Sequence, residues 1–304
     1  MLNKKIQLTI LVATKDRPNY LERLLFSLSE SCEKPNELII ISSGVSISSL
    51  IKNYKKRLPI KHLHVDLEGQ SHQKKLGLKL VSKKSGWVMF CDDDVLFRKD
   101  TISNIFKECS SASENLAGIG INLVSSIKAN SIKNLLTIRS KKQPGKIKKS
   151  GVTIGYSKAQ APVNTEWLNG LSLWRHNVVK YYNPFLANFK YAAYEDVFFS
   201  YKVNKYYELI YHPKIILINQ NLYDNDFNIL HYKALKENRL AFVKQNNEFS
   251  LTQLLIYESL CLTKLLFSFD KYKTQKIIQT IQTILIIIKD KTEDKNQCIT
   301  KGAK

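Results

Sequence analysis

Two short segments near the N-terminus are almost entirely apolar and β-branched, and they constrain the fold more than any other feature. Residues 6–12 (IQLTILV) and 37–41 (ELIII) have the composition of strands that are buried on both faces of a parallel sheet. Between them, Pro18 follows Asp16 at the expected start of a helix, whose apolar residues recur at helical spacing at Tyr20, Leu21, Leu24, Leu25 and Leu28. This β-α-β order predicts a right-handed crossover and an α/β fold in three layers.

The alternation of strands and helices continues along the chain, and each strand ends in polar residues. A strand, a helix and another strand are predicted at residues 60–65, 73–81 and 87–91. Thr14, Ser42-Ser43 and Asp92-Asp93-Asp94 then stand at the carboxyl ends of strands. Because ligands of open parallel sheets bind outside those ends, we expect the three segments to converge on one crevice.

Beyond residue 100 the pattern is less regular. The basic stretch 140–150, which contains Pro144-Gly145, predicts a mobile loop. Ordered segments are expected again at residues 167–180 and 194–203. Residues 250–291 predict two helices that are separated near Asp270.

The chain is strongly basic, which favours anionic partners without choosing among them. Its 304 residues carry a formal net charge of +21, and such a field attracts phosphates, nucleic acid or the anionic face of a membrane. The lysines are distributed along the chain, which favours solvated faces over a nucleic-acid site. Five widely separated cysteines without a C-x-x-C pair indicate neither a disulfide framework nor a zinc knuckle, and they favour the cytoplasm.

Three consecutive carboxylates follow the predicted strand at residues 87–91. Asp92, Asp93 and Asp94 would repel one another strongly unless solvent or a cation neutralised them. Mg²⁺ and Mn²⁺ prefer oxygen ligands, and Mg²⁺ is usually held by one or two carboxylates together with substrate phosphates. An acidic turn that caps the helix beginning near Thr101 is the structural alternative, but the position directly after a strand favours a divalent metal.

Five segments in a fixed order carry a family resemblance: residues 10–18 (ILVATKDRP), 69–77 (GQSHQKKLG), 87–95 (WVMFCDDDV), 167–170 (WLNG) and 195–196 (ED). Over residues 6–245 the chain resembles the family 2 glycosyltransferases of the GT-A fold, which include bacterial surface-polysaccharide and rhamnosyl-type transferases. The resemblance implies an α/β/α sandwich in three layers with a Rossmann-like nucleotide-binding half.

The resemblance also implies a division of the chain into domains. A GT-A catalytic domain is expected at residues 1–247, with a nucleotide-sugar-binding half at 1–99 and an acceptor-binding half at 100–247. A C-terminal helical extension that ends in a disordered tail is expected at residues 248–304.

By resemblance, the donor nucleotide is bound by the turn after the first strand. This implies nucleotide contacts from Thr14, Asp16 and Arg17. The family usually has acidic residues after the second strand, whereas this chain has serines there, with Ser43 the contact candidate. Lys74 retains a positive charge where the family commonly has Arg-Asn, and it is expected to face the diphosphate.

The aspartate cluster matches the D-x-D motif of the family. This implies that Asp92 or Asp93 contacts the ribose and the donor sugar, while Asp94 ligates Mg²⁺ or Mn²⁺, with Asp92 as a second candidate ligand. The metal would bridge the diphosphate and stabilise the charge that develops on the leaving group.

The acceptor side is implied by the two remaining motifs. Glu195-Asp196 matches the E-D pair of the family, which implies that Asp196 is the base that accepts the proton of the acceptor hydroxyl, with Glu195 as the next candidate. An acidic pair at a helix N-terminus is otherwise a common structural feature. Trp167, Asn169 and Gly170 are the implied acceptor-side residues.

The resulting functional prediction is a metal-dependent, inverting transfer of a sugar from a nucleotide-diphosphate donor to a glycan or lipid-linked acceptor in bacterial-type surface glycan synthesis. A nucleotidyltransferase of sugar phosphates is one alternative, although residues 13–18 lack the glycine-rich phosphate loop that such enzymes tend to have. A non-catalytic basic binding protein is the other, and acidic residues at strand ends argue against a groove for nucleic acid. A degenerate transferase that serves as a scaffold also stays open.

The C-terminal segment predicts a location at the membrane surface. Its most apolar run, residues 277–288, contains four polar side chains and is shorter than the roughly 20 residues that a bilayer crossing needs. Flanking lysines would hold an amphipathic helix on anionic lipid from the cytoplasmic side. Packing of these helices on the catalytic domain is the equally weighted alternative.

Overall fold

A computed structural model of the protein describes residues 6–66, 69–125, 144–156, 159–184, 193–220 and 228–302, with side chains as far as residue 292. The contacts within the chain define two compact units. The first comprises residues 1–146, 155–188 and 196–225, and the second comprises residues 147–154, 189–195 and 226–304. The domain boundary predicted at residue 247 stays a prediction, since the contacts group residues 226–247 with the C-terminal helices.

The first unit contains the sheet. Over the residues that the structure describes, its strands are β1 (Leu8–Lys15), β2 (Glu37–Ser43), β3 (Ile60–His64), β4 (Trp87–Asp92), β5 (Val95–Phe97), β6 (Leu116–Ser125), β7 (Val163–Asn164), β8 (Ser172–Arg175) and β9 (Glu208–Asn219). Their order across the sheet is β3-β2-β1-β4-β8-β6-β9-β5, and β7 pairs with β9 outside this path.

One half of the sheet is parallel and the other half is mixed. β1 is parallel to both β2 and β4, and β2 is parallel to β3. This confirms the parallel arrangement that the apolar segments of the first ninety or so residues predicted. β8 runs antiparallel to β4 and to β6, whereas β6 and β9 are parallel. The sequence pattern did not predict this mixed half, because it lacked the regular alternation of strands and helices.

The described helices are α1 (Pro18–Ser29), α2 (Ser48–Tyr54), α3 (Gln70–Leu80), α4 (Thr101–Ser111), α5 (His176–Tyr182), α6 (Glu195–Asn204), α7 (Ile229–Gln245), α8 (Leu251–Leu266) and α9 (Lys273–Gly302). The start of α1 at Pro18 and the separation of α8 from α9 around Asp270 were predicted. α2 was not predicted, since it buries only Ile51 and therefore has no apolar period. α9 continues to Gly302, and the disordered tail expected within residues 248–304 stays a prediction.

Two apolar clusters lie on opposite faces of the sheet in the first unit. Ile10 and Val12 of β1 pack with the buried leucines of α1 and with Ile102 of α4, whereas Leu11 packs with residues of α5 and α6. Neighbouring residues of a strand point to opposite faces, so the helices must cover both sides. The predicted α/β fold with helices on both faces of a central sheet is therefore confirmed.

The second unit is built mainly from α7, α8 and α9. Glu258 of α8 is fully buried, and its carboxylate pairs with Lys236 and Arg239 of α7, the latter at 3.5 Å. A buried carboxylate needs such partners, because its desolvation would otherwise cost several kcal/mol.

The basic stretch predicted as a mobile loop lies partly outside the described residues, at 140–143. Its remainder forms turns and the isolated bridge Ile147↔Thr153.

Among the described residues, no helix is both long enough and apolar enough to cross a membrane. This includes α9, the longest helix of the second unit.

Gly118 of β6 tests the packing of the mixed half of the sheet. A Cβ at this position would lie 2.8 Å from both Leu168 and the ring of Trp174. We expect Gly118→Ala to lower the free energy of unfolding by about 1–3 kcal/mol, because overpacking forces neighbouring side chains or backbone to shift. Chemical denaturation measures this. The control is Gly155→Ala, where a Cβ meets no atom within 4 Å, and an equal effect of both variants would contradict the packing described.

Candidate functional site

The carboxyl ends of β1, β2 and β4 lie side by side in the first unit. Thr14 pairs with Ser42, and Ala13 pairs with Asp92, in the registers of the parallel ladders. The two connections that follow β1 and β4 therefore meet at the same edge of the sheet. This edge is the crevice that the sequence predicted, and it brings together the candidate residues from three segments.

Arg17 joins the connections after β1 and β4. Its guanidinium contacts Asp93 Oδ1 at 2.8 Å and Asp94 Oδ2 at 3.1 Å, and it lies 4.3 Å from the centroid of the Tyr20 ring. Such a fork of donors matches two carboxylates well. Arg17 directly precedes α1, whose start at Pro18 fixes where the side chain leaves the backbone.

Asp93 is the buried member of the aspartate cluster. It is 3% exposed, and Thr14 Oγ1 donates a hydrogen bond of 2.6 Å to its Oδ2. Burial raises the pKa of Asp93 to about 6, although the hydrogen bond from Thr14 and the charge of Arg17 both lower it. Asp93 therefore contacts both Thr14 and Arg17 within the crevice, and the direct donor contacts expected of Thr14 and Asp93 stay a prediction.

Asp92 and Asp94 are the more exposed members of the cluster. Asp92 Oδ1 accepts hydrogen bonds from Gln70 at 2.6 Å and from Lys74 at 3.0 Å. Lys74 lies in the first turns of α3, and its side chain is largely buried. The ammonium group at its end contacts Asp92. Each of the two carboxylates therefore already has one cationic partner, Lys74 or Arg17.

Asp92 and Asp94 supply the oxygen donors that a hard divalent cation prefers. About a third of the side-chain surface of Asp92 and of Asp94 is exposed, at 32% and 33%. Within the described ranges no cluster of three or more His, Cys, Asp and Glu side chains could hold a metal. Because Mg²⁺ is usually held by one or two carboxylates plus substrate phosphates, two oxygen donors at an open edge are sufficient.

The connection after β2 is fixed by a contact that the sequence did not reveal. Gln73 of α3 is 2% exposed, and its Nε2 donates to the carbonyl of Thr14 at 2.9 Å and to Ser43 Oγ at 3.2 Å. This one amide ties the ends of β1 and β2 together and leaves Ser43 buried. The alternation of apolar residues cannot identify such a side chain, since a buried glutamine looks polar in the pattern.

Asp16 closes the turn beside the crevice. It has a positive φ of 54°, and its Oδ1 accepts a 2.8 Å hydrogen bond from the backbone N–H of Val45. A Cβ on Gly44, which has φ of 75°, would come within 2.0 Å of that carboxylate oxygen. Asp16 is exposed, so the same carboxylate both shapes the turn and faces solvent.

Two histidines of β3 lie beside the serine near the end of β2. Ser42 Oγ lies 2.8 Å from His62 Nε2 and 3.1 Å from His64 Nδ1. Burial lowers the pKa of His62, and the positive charge of His64 lowers it further. The side chains that meet at Ser42 are thus hydroxyl and imidazole groups.

The acceptor-side candidates lie on one loop of the first unit. Tyr156 Oη accepts a 2.9 Å hydrogen bond from the N–H of Asn169, and its ring packs against Trp167 at 5.1 Å. The side-chain oxygen of Asn169 is buried and has no hydrogen-bond partner among the described residues. A Cβ on Gly170 would meet no atom within 4 Å, so space is open beside the loop.

Asp196 lies at the first turn of α6, within electrostatic reach of this loop. Burial raises the pKa of Tyr156 well above its ordinary value, and the charge of Asp196 raises it further. Asp196 Oδ1 also accepts a 2.8 Å hydrogen bond from the N–H of Val197, and the side chain is half-buried. α6 is held to the loop by Ser200, whose Oγ accepts from the N–H of Leu168 at 3.0 Å. Glu195 begins α6 and belongs to the second unit.

A groove of 1220 Å³ extends along the exposed side of α1 from Arg17. Tyr20, Phe26 and Phe97 are among the residues that line it. The sequence did not predict this groove, because its wall combines α1 with the short strand β5.

Part of the chain matches a known protein family. Residues 9–158 match the family described as glycosyl transferase family 2. No curated protein matches the chain in sequence.

Solved structures share the fold. The chain is similar to S. aureus TarS 1–349 in complex with UDP-GlcNAc, with a TM-score of 0.57 and 15% identity over 92% of this chain and 82% of that chain. It is also similar to the mannosyltransferase PcManGT from Pyrobaculum calidifontis in complex with GDP-Man and Mn²⁺, with a TM-score of 0.55 and 13% identity over 98% of this chain and 79% of that chain. The chain covers only 39% of a longer S. aureus TarS structure. These likenesses show a GT-A fold.

Gln73 provides a test of how the crevice is held together. We expect Gln73→Met to lower the free energy of unfolding by about 1–3 kcal/mol, because it leaves buried acceptors of β1 and β2 without their donor. The matched control is Gln70→Met on the same helix, which removes only the contact with the partly exposed Asp92. Chemical denaturation measures the free energy of unfolding of both variants. A Gln70 variant that loses as much stability as the Gln73 variant would show that Gln73 does not join the strands.

Proposed function

The chain belongs to glycosyl transferase family 2, and from that premise we propose that it is a metal-dependent enzyme that transfers a sugar from a nucleotide-diphosphate donor to an acceptor hydroxyl. The observation that carries this proposal is the convergence of Arg17, Lys74 and three aspartates at the carboxyl edge of the parallel strands. Both kinds of group can bind a diphosphate, since cations bind its oxygens directly and carboxylates bind it through a metal.

The donor site comprises the crevice residues in distinct roles. Arg17 and Lys74 supply positive charge for the diphosphate, while the exposed Asp16 and the end of β2 at Ser43 border the nucleoside. Asp92 contacts the ribose and the donor sugar. The burial of Asp93 and Thr14 supports a role in which they act through Arg17 rather than by touching the donor.

Asp94, with Asp92 as the second candidate, would hold Mg²⁺ or Mn²⁺. When bound, the metal supplies charge stabilisation to the departing nucleoside diphosphate. The likeness to PcManGT supports this choice, since that protein was solved with GDP-Man and Mn²⁺. TarS 1–349 was solved with UDP-GlcNAc, so both neighbours support a nucleotide sugar as the donor.

Asp196 is proposed as the general base of an inverting transfer. In a single displacement, the acceptor oxygen attacks the anomeric carbon while its proton passes to a carboxylate and the nucleoside diphosphate leaves. Asp196 is half-buried beside Tyr156 and the Trp167–Gly170 loop, which supports contact with an acceptor. The amide oxygen of Asn169 is buried and has no hydrogen-bond partner among the described residues, so an acceptor that reaches into this loop would find a free hydrogen-bond acceptor there. Glu195 is the next candidate base.

We further propose that the acceptor is a glycan or a lipid-linked glycan of surface polysaccharide synthesis. The enzyme would then act in the cytoplasm, at the anionic face of the membrane, because a lipid-linked acceptor is held there. The strong positive charge of the chain supports this location.

Asp94→Asn tests the metal. We expect the variant to lose donor binding that depends on Mg²⁺ or Mn²⁺ while it keeps its fold, because a neutral amide still accepts from Arg17 but binds a divalent ion poorly. Calorimetric titration with UDP-, dTDP- and GDP-sugars, with and without metal, measures this. The control is Asp100→Asn, an exposed aspartate that precedes α4. Metal-dependent donor binding by Asp94→Asn that is as tight as in the wild type would contradict the assignment.

Asp196→Asn tests the base. We expect donor affinity to be retained and transfer to fall by on the order of 10²–10⁴-fold, since a general base acts on the acceptor proton. Release of the nucleoside diphosphate with the acceptor present measures transfer, and calorimetry measures donor binding. The adjacent Glu195→Gln is the comparison: if that variant loses transfer and Asp196→Asn does not, the base is Glu195. Loss of donor binding and transfer together would indicate that Asp196 is structural.

A further inference from the structure

The C-terminal helices carry most of the large apolar side chains that are exposed among the described residues. The turn between α8 and α9 is the extreme case, because Phe267 is 82% exposed and Phe269 is 107% exposed. Isolated apolar residues on a surface need no explanation, but two largely exposed phenylalanines on one turn, next to further exposed apolar residues, require one.

Exposed apolar residues form a stripe on each helix, apart from Leu266 and Ile286, which are 54% and 45% exposed and lie outside it. Ile256 and Leu260 are about one turn apart on α8, Phe267 follows two turns later, and Phe269 lies in the turn after the helix. On α9 the exposed residues follow the three- and four-residue spacing of one helix face. We call this set the α8–α9 face: Ile256, Leu260, Phe267, Phe269, Ile278, Ile281, Leu285 and Ile288.

The two stripes lie side by side at one end of the helix pair. Thr252 stands one turn before Ile256 on α8, and Lys291 stands about one turn after Ile288 on α9. Lys291 Nζ donates a 2.8 Å hydrogen bond to Thr252 Oγ1. The contact joins the ends of the two stripes, so they form one continuous surface there.

The opposite sides of both helices are already packed within the second unit. Leu254 and Glu258 of α8 are 1% and 0% exposed, and Thr280 and Ile287 of α9 are each 0% exposed. The α8–α9 face is therefore an additional apolar surface rather than the core face of a helix without a partner.

Lysines flank the turn that carries the exposed phenylalanines. Lys264 and Lys271 are exposed on either side of the turn, and Lys289 is exposed near the far end of α9. The acidic Asp270 within the turn is paired with Lys276 at 2.6 Å. The charge around the turn is therefore positive overall.

We propose that the α8–α9 face docks on an anionic lipid bilayer, with Phe267 and Phe269 entering the boundary between headgroups and acyl chains. An amphipathic surface with aromatic and aliphatic residues on one face and lysines beside it binds the interface plane of a membrane without crossing it. Charge complementarity selects lipid over a second copy of this chain, since a symmetric pair of these faces would bring the lysines together. The inference rests on the proposed function in one respect only: a lipid-linked acceptor would explain why the enzyme binds a membrane.

Sedimentation of the full chain with vesicles tests the proposal. We expect binding to vesicles of phosphatidylcholine mixed with phosphatidylglycerol and little binding to phosphatidylcholine alone, with a decrease at high salt. Phe267→Ser/Phe269→Ser should lower the partition coefficient by about tenfold or more for each phenylalanine, because each loses its burial in the bilayer. Lys264→Gln/Lys271→Gln should lower binding to the anionic vesicles only.

The matched control is Tyr181→Ser/Tyr206→Ser, which removes two exposed aromatic side chains from the first unit. This variant should bind vesicles as the wild type does. Equal loss in both aromatic double variants, or binding that depends on salt but not on the phenylalanines, would overturn the role of the α8–α9 face. A dimer in ultracentrifugation that the phenylalanine substitutions abolish, with no vesicle binding, would assign the face to a second copy instead.

Donor binding by calorimetry separates this inference from the proposed function. The phenylalanine variant should bind the donor as the wild type does. If the wild-type chain binds vesicles but no nucleotide sugar, the membrane-binding face is supported and the proposed activity is contradicted. If it binds a nucleotide sugar but no vesicles, the proposed activity is supported and the membrane-binding face is contradicted.

Discussion

Mutual repulsion among Asp92, Asp93 and Asp94 is the constraint on which the crevice depends. The strand β4 ends at Asp92, and the next two residues are also aspartates, so three carboxylates lie at one edge of the sheet. They would destabilise the fold unless cations lay beside them. Arg17 provides this for Asp93 and Asp94, and Lys74 provides it for Asp92. Arg17 lies between β1 and α1, and Lys74 lies within α3, so the balance of charge also fixes where these segments meet β4.

The neutral contacts around this charge cluster make the arrangement specific. Gln73 spans β1 and β2, and Asp16 fixes the turn that contains Gly44. At the opposite end of the same strands, Glu37 accepts a hydrogen bond from Thr9 and pairs with Lys61. The parallel strands are therefore held by polar side chains at both ends, while apolar residues fill the layers between them.

The sequence was sufficient for the parts of the fold that repeat. Residues 6–91 alternate between apolar strands and an amphipathic helix, and the parallel order of β1, β2 and β4 followed from that pattern. The sequence was insufficient where an element has no periodic apolar pattern. α2 buries only Ile51, and the mixed pairing of β6, β8 and β9 has no local period. The crevice was predictable because strand ends converge by topology. The burial of Asp93 and the reach of Gln73 depend on packing between distant segments, which no single-sequence pattern contains.

The pairing of Arg17 with Asp94 has a consequence for how a divalent ion would enter. The carboxylate is already neutralised, so an incoming ion competes with the guanidinium instead of filling a vacant charge. An ion alone gains little from that exchange. If the ion arrives together with a diphosphate, the displaced guanidinium can pair with a phosphate instead. A nucleotide and a metal ion would therefore each increase the affinity of the crevice for the other.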